Sequence, residues 1–75
     1  MDIFEEENEI QILAEMPGVE EQDVELEIKG DILILSAMGF DRKYLKELLL
    51  PSQVESEAHS CSHKNGIFEA RFKKK

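Results

Sequence analysis

From Val24 to Lys29, apolar and charged residues alternate without a break, Val24, Leu26 and Ile28 against Glu25, Glu27 and Lys29. A two-residue period suits a strand with one buried face, because helical faces repeat only every ~3.6 residues. Gly30-Asp31 follows as a tight hairpin connection. Ile32-Leu33-Ile34-Leu35 then runs apolar on both faces. That pattern fits a central strand, or one whose outer face meets another chain. Glu9–Met16 alternates too, with Ile10, Ile12, Ala14 and Met16 on one side, and ends at Pro17-Gly18. Asn65-Gly66 joins an alternating stretch from residue 58 to Phe68, Ala70 and Phe72. Asn-Gly accepts the positive φ angles of a type I′ hairpin turn. About six strands with frequent turns predict an all-β fold, a compact antiparallel β-sandwich of immunoglobulin-like shape. Residues 40–50 fit either element: Phe40, Tyr44 and Leu48 have helical spacing, whereas Tyr44, Leu48 and Leu50 suit a strand ending at Pro51.

Seventy-five residues leave room for one thin-cored domain, 1–75. Ile, Leu, Val and Phe make up 22 of them, enough to predict folding despite a net charge of −8. That acidity argues against nucleic acid or an anionic membrane as partner. The charge is uneven: residues 1–31 carry −11 and residues 32–75 carry +3. Two solvated faces explain this, as does head-to-tail association. One cysteine, no leader-like N-terminus and no long apolar run predict a cytoplasmic protein.

Nothing in the chain forms a phosphate loop or a nucleophile elbow, so no enzyme, cofactor or small-molecule substrate is expected. His59, Cys61 and His63 alternate and are metal-ligating residue types, but neighbours of one strand face lie about 7 Å apart and converge poorly on one ion. No metal site is expected. Leu33, Leu35, Leu45 and Leu49 are read as facing away from the obvious core set, as a protein-contact surface or as the second half of a core.

Six stretches in register resemble the α-crystallin domain of the small heat-shock protein (HSP20-like) family. Glu15-Met16-Pro17-Gly18-Val19 is similar to its acid–Leu/Met–Pro–Gly turn, and Asp23–Ile28 to the strand that follows. Ile32–Ser36 resembles its x-L-x-I-S, and Tyr44–Pro51 its Y-x-R-x-V-x-L-P. Val54-Glu55 and the Asn-Gly hairpin at Cys61–Ala70 complete the set. The resemblance implies a strand over 43–50 and an ATP-independent chaperone that holds unfolded client proteins. The alternative is an adaptor of the related CS type, docking to one folded partner. It also implies an anchor groove for an Ile-x-Ile segment, lined here by Val24, Leu26, Ile28, His59, Cys61 and His63, with a polar histidine wall. A homodimer is expected on Leu33, Leu35, Tyr44, Leu45, Lys46 and Leu49. Lys46 stands where the family has arginine, and Cys61 where it has alanine. The family's N-terminal arm and C-terminal anchor have no counterpart in the sequence, and only Ala37–Lys43 fills the place of its long swapped loop. Those departures predict a monomer or dimer rather than a many-subunit shell.

Overall fold

Seven strands make up two antiparallel sheets in the computed structural model, which describes residues 1–75. They are β1 (Asp2–Glu5), β2 (Glu9–Glu15), β3 (Val24–Lys29), β4 (Ile32–Met38), β5 (Lys43–Leu49), β6 (Ser60–Lys64) and β7 (Ile67–Lys73). One sheet runs β1-β2-β7-β6 and the other β3-β4-β5. Residues 43–49 are strand, so helical spacing around Tyr44 and Leu48 yields to pairing with β4. β1 is the strand the sequence concealed. Only Ile3 of it packs against the core, and its turn into β2 uses Glu6–Asn8 without Gly or Pro.

Turn chemistry sets the register. Gly30 alone has positive φ (63°) in the β3–β4 turn, the pattern of a type II′ hairpin. Asn65 and Gly66 both do (54° and 79°), as type I′ requires. The first turn places Ile28 opposite Leu33 and Leu26 opposite Leu35. Since Ile28 and Leu26 pack inward, Leu33 and Leu35 do too, and both are buried in the core. Leu33 and Leu35 therefore point into the core and not onto the outer face expected to meet a second copy. They meet Ile10, Ile12, Ala14, Phe68, Ala70 and Phe72 of the other sheet.

The segment after β5 is ordered by backbone bonds rather than side-chain pattern. Glu55 N–H and His59 N–H donate to the carbonyls of Lys73 and Arg71, at 2.8 and 2.9 Å. Val54, bridged to Lys74, is buried at one end of the core. Part of the charge asymmetry is neutralised within the chain. Arg71 pairs with Glu6 and Glu9, and Lys74 with Glu5 at 2.8 Å. The acidic β1–β2 hairpin thus lies on the basic end of β7.

Candidate protein-binding surfaces

The sandwich is open along both sides. On one, the edge strands β3 and β6 face each other across a cleft of about 400 Å³. Val24 and Leu26 form its β3 wall, Cys61 its β6 wall, and Phe68 and Ala58 complete the apolar lining. Glu21 and Glu57 stand beside it. Glu21 belongs to a single 3₁₀ turn, Glu21–Asp23, whose start is tied by Glu20 N–H donating to the Asp23 carboxylate at 2.9 Å. That turn delivers the chain into β3 and sets a carboxylate near Cys61.

Three of the six expected groove residues, Val24, Leu26 and Cys61, come together here. Ile28 packs against the core and does not line the cleft. His59 lies outside the β6 ladder, and its imidazole bonds to the Glu9 carboxylate at 3.0 Å. Alternation holds only within a strand, and residue 59 precedes this one, so His59 does not share a wall with Cys61. His63 does continue the inner face, opposite Phe68, with the two rings 6.2 Å apart. Its Nε2 donates to the Val19 carbonyl at 2.8 Å, since a carbonyl oxygen can only accept. That places a proton on Nε2, and Nδ1 is buried without a partner. The wall expected to be polar from two histidines is therefore formed by a cysteine. Partial burial, with Glu21 nearby, pushes the Cys61 thiol above its ordinary range. It stays a thiol at neutral pH and presents a small, weakly polar surface.

The outer face of the three-stranded sheet is the second surface. Ile32 pairs with Leu49, Ile34 with Glu47 and Ser36 with Leu45. All of these point away from the core. Leu45 is 66% exposed and Leu49 70%, while Ile32 and Met38 add to the apolar face beside them. Glu25 and Glu27 flank it on β3. Leu45 and Leu49 lie outward as expected from the sequence, and Ile32, Ile34 and Met38 lie outward with them. The two-residue turn held the signal: a register of Lys29 against Ile32 assigns the even-numbered residues of β4 outward.

Tyr44 and Lys46 lie on the opposite face of β5 from Leu45 and Leu49. Tyr44 donates to the Pro17 carbonyl at 2.8 Å, and Lys46 sits opposite buried Leu35. The residues expected to form one dimer surface are thus divided between the core and the two faces of β5.

No family model matches the chain. Along its whole length it aligns at 29% identity, over 89 positions, with a probable 15 kDa heat shock protein of Leptospira interrogans, covering 68% of that protein. The chain is similar in sequence to that heat shock protein. Solved structures carry the same sandwich. HspA from Xanthomonas axonopodis superposes with a TM-score of 0.83 at 22% identity, over 99% of this chain and 90% of that one. Heat shock protein 16.0 from Schizosaccharomyces pombe gives 0.78 at 16% identity, over 97% and 83%. No helix of the chain is long and apolar enough to cross a membrane.

Proposed function

We propose that the chain is an ATP-independent holdase that binds partly unfolded proteins through its exposed strand surfaces. The outer face of the three-stranded sheet carries this reading, with Leu45 and Leu49 about two-thirds exposed beside Ile32 and Ile34. Covering each leucine with client side chains is worth on the order of 1–2 kcal/mol. The attraction is non-directional, so it needs neither a fixed client sequence nor a nucleotide. Glu25, Glu27 and Glu47 punctuate the face and oppose pairing between bare copies. The β3–β6 cleft offers a more selective second contact. Its apolar lining between Glu21 and Glu57 suits an aliphatic residue followed by Lys or Arg, and an Ile-x-Ile anchor enters on the same terms.

Light scattering of an unrelated enzyme during heating tests the proposal. The intact chain is expected to suppress the rise. Leu45→Ser with Leu49→Ser is expected to lose most of that protection at an unchanged melting temperature. Equal protection by the double variant would refute the assignment to this face. A chain inert in the assay that binds one folded partner would favour the adaptor reading.

A further inference from the structure

The middle row of the outer β3-β4-β5 face sets one aliphatic side chain between two carboxylates. Ile34 pairs with Glu27 on one side and with Glu47 on the other. Beside it, Glu25, Glu27, Ile34 and Ser36 border a shallow hollow of about 280 Å³. Glu25 and Glu47 have no ion pair within the chain, and Glu27 has only exposed Lys29 at 4.0 Å. Lys43 lies at the far end of the face, opposite Met38. The rows on either side of Ile34 carry the exposed leucines, Leu49 beside Ile32 and Leu45 beside Ser36. Along β5 the outward order is therefore Leu45, Glu47, Leu49: apolar, anionic, apolar, with about 7 Å between neighbours.

We propose that this face selects extended segments of unfolded protein in which Lys or Arg stands midway between two aliphatic residues, all three on one side of the segment. The proposal rests on the outer face being the client surface and adds the charge class of the client. An extended segment repeats its side chains at the same spacing of about 7 Å. Laid along β4 and β5, it sets one aliphatic residue on Leu45, the other on Leu49 and Ile32, and its central residue on Ile34. Charge complementarity decides what that central residue is. The stem of a Lys or Arg covers Ile34 while its head reaches Glu27 or Glu47. A central Glu would add a like charge between two others. A central aliphatic residue would take both carboxylates out of water without pairing either. A bare copy offers its own Glu47 at this place, so the row that admits a cation also rejects a second copy.

NMR titration of the isotope-labelled full chain with three capped peptides tests this: Leu-Thr-Lys-Thr-Leu and its counterparts with Gln or Glu at the centre. The lysine peptide is expected to bind about three- to fivefold more tightly than the glutamine peptide, and the glutamate peptide least tightly. Shifts should map to Ile32, Ile34, Leu45 and Leu49 rather than to Val24, Leu26 and Cys61. In roughly 1 M salt, where the screening length is about 3 Å, the lysine advantage should vanish. Glu27→Gln with Glu47→Gln should abolish it too, at unchanged melting temperature and glutamine-peptide affinity. Equal binding of the lysine and glutamine peptides, both lost in Leu45→Ser with Leu49→Ser, would overturn the charge selection and leave the client face standing. A lysine preference that survived the double Gln variant, or shifts confined to the β3–β6 cleft, would overturn it as well. Binding of no peptide would overturn it too, and the heating assay would then decide the client face by itself.

Discussion

Phe68 and Phe72 are neighbours on one face of β7, both buried, yet their removal should have different consequences. Replacing a buried Phe by Ala costs about 3–5 kcal/mol, and the spread depends on how well the site relaxes. Phe72 has no exposed surface and lies opposite Ile10 in the closed centre of the sandwich. Its loss leaves a sealed apolar void between two sheets that cannot close up, so the upper end of the range applies. Phe68 also lines the β3–β6 cleft. Its void opens onto that cleft, where solvent can enter and His63 opposite can shift, so about 3 kcal/mol is expected. A chain of this length holds roughly 4–11 kcal/mol in total at ~0.05–0.15 kcal/mol per residue. Phe68→Ala should therefore fold with a much lower urea midpoint, and Phe72→Ala should have a lower midpoint still. Only Phe68→Ala should also alter peptide binding in the cleft. Urea denaturation followed by far-UV CD, together with NMR titration of an Ile-x-Ile peptide, measures both effects. If Phe72→Ala proves the milder change, the closed core and the open cleft have been assigned to the wrong residues.

Two further predictions rest on the turns and the charges. A Cβ on Gly66 meets Pro17 only at ordinary contact distance, so Gly66→Ala should cost just the ~1–2 kcal/mol of a left-handed backbone. Gly39→Ala drives a Cβ into the Gly18 backbone and should lower the melting temperature further, although Gly39 has no positive φ. Calorimetry that ranked the two in the opposite order would contradict the close approach of those turns. Glu9, bonded by Arg71 and His59, and Glu5, bonded by Lys74 and Ser52, are held below the ordinary carboxylate value of 4.5. Their depressed folded values mean that their contribution is present above pH 4.5 and is lost as pH falls through the lower folded values. Thermal melts from pH 6 to pH 3 should show falling stability, and Arg71→Gln should flatten the part due to Glu9.

The turns were the most legible part of the chain. Gly30-Asp31 and Asn65-Gly66 announce two hairpins, strict alternation of apolar and charged residues marks β3, and a looser alternation marks β2 and β7. β5 was illegible by period alone, because Tyr44, Leu45, Leu48 and Leu49 satisfy both a strand and a helix. Its pairing with β4 decides the matter, and pairing is not a local property. β1 was hidden because an edge strand with one inward residue leaves almost no pattern. The candidate site was less readable than the fold. Val24, Leu26 and Cys61 reach the cleft because alternation holds inside their strands. His59 fails because it lies one residue before β6 begins, where the Glu9 carboxylate, far off in sequence, takes its imidazole. Glu21 and Glu57 come from connections, whose side chains follow no period.

β5 carries two unlike faces on one strand. Its odd-numbered positions Leu45 and Leu49 point out to the client face, whereas Tyr44 and Lys46 point toward the cleft between β1 and β5. Period-two geometry puts the two sets on opposite sides of the sheet. A charge on the inner side of an exposed edge opposes indiscriminate strand addition, and β5 is seven residues long with no neighbour beyond it. Changes on the two faces should therefore separate. Leu45→Ser with Leu49→Ser should lose client protection and keep the sedimentation mass, while Lys46→Val should raise that mass and keep client protection. If both properties changed together in either variant, the two faces would be one surface.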